Sequence, residues 1–391
     1  MITKESIKQI ITLGLTLVLP RMPILLAAYL LSKENYFFFN KYYYTATMLI
    51  LWSSFGFEFA ISYTKTKYSL LTGSILTNVV ITSIVLYFVV IEELNLYEFI
   101  AIASYSFFVT AANVVNFRIL YTGKTFIYLL TNLLNATFLF IAIVLGRMFS
   151  ENGLIIGLTL GAALYFITVW VFQFRNEREQ FDGKNLKDIY SIGFSSFVIN
   201  SIVPFLLAAD KFIVNHNFEN ITANSYTFAW GLTAPLFYIG NIFEKMIYAE
   251  RKEVTKKLVL VNGLLNIALI SIYAIAVFTT INISDSILPQ SVSKEMVRSI
   301  TLMMLIGYSI YAIVHFPLNG YLFKQKDKSF PKKIAVLYVI AAAVFVILYA
   351  LIREELYVHY TRLLFYNFSV LAVLLIIKIA VVVRVRGEKS N

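Results

Sequence analysis

The residue with the clearest chemistry in this sequence is Arg21, a permanent cation in the middle of the apolar stretch Leu13–Leu31. Pro20 and Pro23 flank it; each removes a backbone donor, so together they disturb the helix and free carbonyl groups that neighbours or water must satisfy. Charges at membrane depth are costly and usually face a protein interior or a wet cavity. Because a guanidinium donates paired hydrogen bonds to phosphate, we predict that Arg21 binds an anion beside a broken helix. The alternative is a structural arginine paired with a buried acid.

Further charged and titratable residues lie in other apolar stretches. Asp210 and Lys211 are adjacent near the predicted outer end of one of them, where they could neutralise each other or act separately. His315 could exchange protons because imidazole titrates near neutral pH, although a hydrogen-bonded structural histidine is the alternative. Glu58 lies near a predicted cytoplasmic end. If the protein uses an H⁺ or Na⁺ gradient, we expect Glu58, Asp210 or His315 to bind the ion.

Amide side chains supply the remaining candidates. Asn116 shares one helix face with Asn113, at i,i+3 spacing, and Asn200 lies in a later apolar stretch. Such amides could bond sugar hydroxyls or hold helices together. With Arg21 and Lys211, Asn116 and Asn200 form the predicted substrate-binding set.

Several kinds of site are excluded. The chain has no cysteine, which rules out disulfides and thiolate metal sites. Its three histidines are far apart, without a metal-binding spacing. The stretch TGKT (Thr122–Thr125) resembles the end of a phosphate loop, but Arg118 stands where that loop needs a glycine. No nucleophile, base and acid are grouped, so we expect neither an enzyme nor a metal or other cofactor.

The elements that must position these residues are membrane spans. Of the 391 residues, 59% are hydrophobic and 14% charged, and the mean hydropathy is +0.75, far from a soluble composition. Apolar runs long enough to cross a bilayer recur along the whole chain. The sequence predicts an all-α, polytopic membrane protein with twelve spans, at 7–31, 42–62, 69–91, 98–121, 125–146, 154–174, 189–213, 224–247, 258–281, 297–323, 333–352 and 359–383.

The net charge of +11 belongs to the loops between these spans. Lysines and arginines concentrate in one alternate set of gaps, which includes both ends of the chain. Because basic residues near span ends stay in the cytoplasm, both termini should be cytoplasmic. We therefore expect the charge to set topology and predict no nucleic-acid partner.

The chain divides into two halves of six spans each. The polar stretch 175–188 separates an N-terminal half (1–174) from a C-terminal half (189–391) and is the predicted cytoplasmic linker. LKDIYSIGF (Leu186–Phe194) resembles IKQIITLGL (Ile7–Leu15), which suggests a duplication. Because six is even, the halves would have the same orientation, as parallel repeats do in some secondary transporters.

The chain is also rich in aromatic residues, with 34 Phe and 26 Tyr. The stretch NYFFFNKYYY (Asn35–Tyr44) falls in the first predicted outer loop. Aromatic rings collect at the membrane surface, so we expect this stretch to anchor the protein there, with sugar stacking as the alternative.

Two stretches, Leu30–Ser62 and Ile192–Ile247, resemble the polysaccharide flippases of the multidrug, oligosaccharidyl-lipid and polysaccharide exporter superfamily. In that family an acid near a span end is followed by a short outer loop and then by a tyrosine and an alanine. The matching residues here are Asp210, Tyr226 and Ala229. Gly56 stands where the second span of the family tends to carry a glycine.

The resemblance implies a Wzx-type (O-antigen) flippase in a bacterial cytoplasmic membrane. Such a protein moves an undecaprenyl-pyrophosphate-linked oligosaccharide to the outer leaflet, among membrane lipids and polysaccharide assembly proteins. One alternative is a multidrug antiporter of the same superfamily, which should carry a deep acid in its first or seventh span, whereas span one here carries a base. Another is a membrane polysaccharide polymerase or ligase, which would need a large outer loop.

Overall fold

The described part of the chain is mostly helical. The computed structural model describes residues 11–12, 14–16, 18–57, 68–90, 94–121, 124–174, 190, 194, 198, 207–237, 239, 256–283, 287–323 and 329–388, and none of these residues lies in a β-strand. The helices are α1 (Met22–Leu30), α2 (Lys33–Ser54), α3 (Tyr68–Val90), α4 (Leu96–Tyr121), α5 (Thr125–Phe174), α6 (Asn220–Thr233), α7 (Lys256–Ile283), α8 (Lys294–Phe323), α9 (Ser329–Tyr357) and α10 (Tyr360–Glu388). A 3₁₀ turn, Leu19–Arg21, leads into α1, and residues 207–217 are also helical.

Within the described residues, six helical stretches are long and apolar enough to cross a membrane. They are Leu96–Leu120, Thr125–Phe172, Gly263–Ile283, Lys294–His315, Val336–Tyr357 and Tyr360–Val381. Most helices of the structure begin or end within a few residues of the predicted spans. The agreement arises because a helix in lipid satisfies its own backbone, so that its length follows the apolar run.

Helix α5 corresponds to two predicted spans joined at a sharp bend. Phe149 and Ser150 leave helical geometry, and Ser150 has a left-handed φ of 55°. The two arms fold back on each other so closely that a Cβ on Gly157 would lie 2.7 Å from the Cα of Ala142. Glycine therefore permits the contact between the two arms.

Helix α2 begins earlier than predicted, at Lys33 rather than at residue 42. The Ser32 side chain caps it by accepting a hydrogen bond from the backbone of Asn35. The aromatic residues of NYFFFNKYYY therefore lie within a helix, and several are buried: Tyr36, Phe39, Tyr42 and Tyr44. The prediction of a surface anchor was wrong, because neighbouring helices cover these rings.

Helix α2 ends at Ser54, where Phe55 and Gly56 have left-handed φ values of 45° and 69°. The rest of the predicted span, 58–62, lies outside the described residues. A glycine at position 56 fits this turn because it adopts positive φ without strain.

The two halves share one hydrophobic core. Helices α1 and α2 pack against α6, and α6 packs against α8. Ile24 and Tyr36 of the N-terminal half belong to the same buried cluster as Tyr226 and Tyr308 of the C-terminal half. A second, smaller core lies within the N-terminal half.

Candidate functional site

Arg21 is the last residue of the 3₁₀ turn and immediately precedes α1. Pro20 lies in the turn and Pro23 in the first turn of α1. The side chain is half-buried, and its Nη1 donates a hydrogen bond to the Tyr43 hydroxyl at 3.3 Å. Because turn and helix both pack against α5, the guanidinium lies within the bundle of the N-terminal half and stays partly accessible.

Two tyrosines lie near this guanidinium, Tyr43 of α2 and Tyr105 of α4. The Tyr43 ring stacks on Phe39 with centroids 5.6 Å apart. The Tyr105 hydroxyl interacts electrostatically with Arg21 and Tyr43, and the Tyr105 ring meets Tyr42 edge-on at 6.3 Å. A guanidinium beside phenol hydroxyls presents several hydrogen-bond donors, which suits phosphate oxygens. We call Arg21, Tyr43 and Tyr105 the arginine site.

Asp210 and Lys211 form a fully buried ion pair in the C-terminal half. Asp210 Oδ1 lies 2.6 Å from Lys211 Nζ. The Lys211 ammonium also donates to the backbone carbonyl of Leu207 and lies 3.4 Å from the centroid of the Trp230 ring. The structure thus joins two residues for which the sequence left separate roles open.

The hydroxyl of Tyr226 completes this pair by donating to Asp210 Oδ2 at 2.9 Å. Tyr308 and Asn367 lie beside it, in electrostatic contact with Asp210 and Tyr226 respectively. Yet the Tyr308 hydroxyl and the Asn367 amide nitrogen have no hydrogen bond of good geometry to any described residue. We call these four residues, together with Lys211, the acid site; it holds a carboxylate and polar atoms without hydrogen bonds away from lipid.

His315 lies in a third polar cluster, between α8 and α10. Its Nδ1 is 2.6 Å from the Tyr311 hydroxyl and 3.2 Å from Lys378 Nζ. Ring contacts lead from here towards the acid site, because Phe237 lies 6.0 Å from Tyr311 and 5.1 Å from Tyr308. Sequence reasoning did not select Lys378, although a lysine inside an apolar span was the available signal.

The remaining predicted residues do not join these clusters. Asn116 is buried among three helical segments, where its amide donates to the Tyr165 hydroxyl at 3.2 Å and its carbonyl accepts from Thr131 at 2.6 Å. These bonds hold helices together, and a substrate role for Asn116 stays a prediction. Asn200 and Glu58 lie outside the described residues.

A set of hydrogen bonds joins the two halves near the predicted outer ends of their helices. The Asn40 amide donates to Asn224 at 3.2 Å, and Asn224 donates to the carbonyls of Lys33 and Ser291. Ser291 Oγ donates to the Ala28 carbonyl at 2.8 Å. Two further bonds, Tyr29 to the Ile287 carbonyl and Thr45 with His216, lie in the same region. We call this group of bonds the outer seam, which the sequence did not reveal.

Solved structures with this arrangement of helices are known. A eukaryotic MATE transporter, AtDTX14, superposes with a TM-score of 0.57 at 12% identity, covering 96% of this chain and 93% of that one. The chain has the fold of the MATE transporters. An outward-facing multidrug resistance MATE transporter of the MOP superfamily superposes with a TM-score of 0.56 at 14% identity, covering 98% of this chain and 97% of that one. A MATE transporter in the straight conformation superposes with a TM-score of 0.52 at 14% identity, with the same coverage of both chains.

No family model and no curated protein matches the chain. The MATE fold confirms the predicted all-α, multi-pass membrane architecture of twelve spans. The cytoplasmic position of the termini and the parallel relation of the halves stay predictions.

Proposed function

We propose that the protein is a secondary transporter that flips an undecaprenyl-pyrophosphate-linked oligosaccharide from the cytoplasmic to the outer leaflet of a bacterial membrane. The observation that carries this proposal is the position of Arg21, a partly accessible guanidinium held at a helix break inside the bundle. A permanent cation there favours an anionic substrate. The MATE fold supports a transporter but does not choose among substrates.

The arginine site suits the pyrophosphate group of such a substrate. A guanidinium can grip two phosphate oxygens at once, and the hydroxyl that Arg21 already contacts, that of Tyr43, can donate or accept a further hydrogen bond. The sugar would extend into the space between the halves, while the lipid chain stays in the bilayer. Arg21 and Tyr43 therefore recognise the charged group that costs most to bring across the membrane.

Alternating access would require the outer seam to break. The bonds of Asn40, Asn224 and Ser291 tie the two halves together at one end of the bundle. At the other end, the described contacts between the halves are aromatic, with Phe57 edge-on to Tyr190 at 5.1 Å. We propose that the outer seam is the outer gate and that opening it releases the substrate to the outer leaflet.

The acid site would supply ion coupling. Asp210 is the buried carboxylate among the described residues of the C-terminal half, and its partners Lys211 and Tyr226 are a base and a hydrogen-bond donor. Binding H⁺ or Na⁺ at Asp210 would weaken its bond to Lys211 and change how the surrounding helices pack. His315 is the second candidate because ring contacts through Phe237 and Tyr311 connect it to this site.

The test is flipping of a synthetic polyprenyl-pyrophosphate-linked sugar in proteoliposomes. Losing a bidentate charged contact should lower flipping by roughly a hundredfold or more in Arg21→Ala, and Arg21→Lys should recover only part of it because lysine lacks the fork. The matched control is Arg147→Ala, which removes an exposed arginine of the same half. Full flipping by Arg21→Ala, with the protein correctly inserted, would refute the proposal.

A second candidate is export of cationic drugs, as in a multidrug antiporter. It is favoured by Asp210 together with the rings of Trp230, Phe237 and Tyr308, because Trp230 and Phe237 pack within 5.7 Å of each other and both contact Tyr308. Aromatic rings bind organic cations well. Uptake of ethidium into inverted vesicles would measure this export activity. Uptake that needs Asp210 but not Arg21 would favour this candidate over the flippase.

A further inference from the structure

A groove of about 460 Å³ runs between α3 and α4 on the side of the N-terminal half. Val79, Ser83 and Phe99 are its buried members. Its exposed members are all apolar: Leu76, Val80, Ile84, Phe88, Leu96 and Ile100. Exposed apolar side chains on a membrane-spanning helix face lipid, so the groove opens into the bilayer.

The floor of the groove carries one polar atom that the fold does not use. Ser83 is only 7% exposed, and its hydroxyl has no hydrogen-bond partner among the described residues. Other hydroxyls of the same helix bond the carbonyl four residues back, as Thr77 does to Gly73 at 3.0 Å and Thr82 to Asn78 at 2.7 Å. The Ser83 hydroxyl instead lines the groove, where lipid chains offer it no partner.

Aromatic rings form much of the remaining wall. Tyr87 of α3 contacts Phe99 of α4, with centroids 5.0 Å apart. Phe107 and Phe108 line the far end and lie 5.4 Å from each other. Flat rings pack well against such walls, in stacked or edge-on arrangements. Ser104 also lines the groove, so that a site of this size is mostly apolar with few polar groups and has the character of a small-molecule pocket.

We propose that this groove binds a lipophilic aromatic small molecule that enters from the bilayer and accepts a hydrogen bond from Ser83. An acyl chain would fill the volume but leave the Ser83 hydroxyl without a partner. A ring carrying a hydroxyl or carbonyl oxygen satisfies both the aromatic walls and the serine. The site is separate from the arginine site and does not depend on the transported substrate.

The probe for this proposal is an alkylphenol that carries a photoactivatable diazirine. The full-length protein in phosphatidylcholine nanodiscs is labelled over a range of probe concentrations, and the adducts are mapped by mass spectrometry. We expect saturable labelling within 76–88 and 96–108 that excess parent phenol prevents. Ser83→Ala should weaken binding about fivefold, the loss of one neutral hydrogen bond.

Ala103→Trp should abolish the labelling because it fills the groove, in which Ala103 is half-buried. Val85→Trp is the matched control, since Val85 faces outward on α3 and is not part of the groove. Labelling that rises linearly with probe, or that falls equally in both tryptophan variants, would overturn the proposal. The proposal would also be overturned if the groove of the wild-type protein held a phospholipid that the phenol cannot displace, and if the Ala103→Trp variant no longer bound that phospholipid. If the Ala103→Trp variant fails to fold, the proposal is still tested by the weaker binding expected of Ser83→Ala and by competition with the parent phenol.

Discussion

The Asn40 amide donates a 3.2 Å hydrogen bond to Asn224 across the boundary between the two halves, and both side chains are completely buried. The residues are 184 positions apart in the chain. Asn224 extends the connection by donating to the carbonyls of Lys33 and Ser291. One amide therefore ties three segments of the outer seam, so that opening this end must break several buried bonds together.

We predict that Asn224→Leu increases opening at the outer seam. Leucine keeps the volume but removes the bonds, at a cost of about 1–2 kcal/mol to the closed state, which should raise the open population by roughly 5- to 30-fold. The chain has no cysteine, so Ala27→Cys, at a buried position of α1, gives a single reporter. Reaction with a membrane-impermeant maleimide added outside should become faster.

Asn217→Leu is the control for this measurement. Asn217 is an exposed residue near the same end of the bundle, and its amide donates to the Ile213 carbonyl of its own helix, at 2.8 Å. Its substitution should leave the maleimide rate unchanged. An equal rate in Asn224→Leu and the parent protein would show that the outer seam does not hold the gate closed.

We predict that Tyr43→Phe weakens substrate binding without stopping flipping. The Tyr43 hydroxyl accepts a hydrogen bond from Arg21 and orients the guanidinium. Its loss should raise KM about threefold to tenfold, the effect of one charged hydrogen bond, while the maximal rate changes little. Initial flipping rates over a range of substrate concentrations separate the two constants. Tyr97→Phe, which alters an exposed tyrosine of α4, should change neither; a fall in maximal rate alone would contradict the binding role.

The long helices could be predicted from the sequence because lipid imposes one rule on all of them. A span such as 333–352 needed only its apolar run, and α9 covers it. The start of α2 could not be predicted in this way. Its tyrosines and asparagines are typical of a surface loop, whereas in the fold other helices cover several of them. Hydropathy measures exposure to lipid and cannot register burial by protein.

The partners of the site residues were harder still to predict. Adjacency alone suggested the ion pair of Asp210 with Lys211, and the resemblance pointed to Tyr226. Lys378 contacts His315 although the two are 63 residues apart, and nothing in the sequence connects one residue with the other. Tyr43 near Arg21 was hidden in the same way, within a stretch assigned to the membrane surface. Such pairs depend on how helices pack, which a single sequence does not specify.

We predict that Gly157→Ala destabilises the protein, whereas Gly73→Ala does not. A Cβ at position 157 would lie 2.7 Å from the backbone of Ala142, so the arms of α5 must separate, at a cost of about 1–3 kcal/mol. A Cβ at position 73 meets nothing within 4 Å, and alanine favours the helix by about 0.5–1 kcal/mol. Thermal unfolding in detergent measures both; equal midpoints would show that the arms pack less closely than described.

We predict that Asp210→Asn and Lys211→Met each destabilise the protein more than the two substitutions together. Either single change leaves one buried charge without its 2.6 Å partner, at a cost of about 3–5 kcal/mol, whereas removing both charges is nearly neutral. Thermal unfolding of the four proteins in detergent gives the coupling energy. As a control, Glu355→Gln breaks the exposed pair with Arg362 and should cost at most about 1 kcal/mol. If Asp210 couples the ion, the double variant will fold but no longer respond to an ion gradient; gradient-driven flipping that persists in it would assign coupling to another residue.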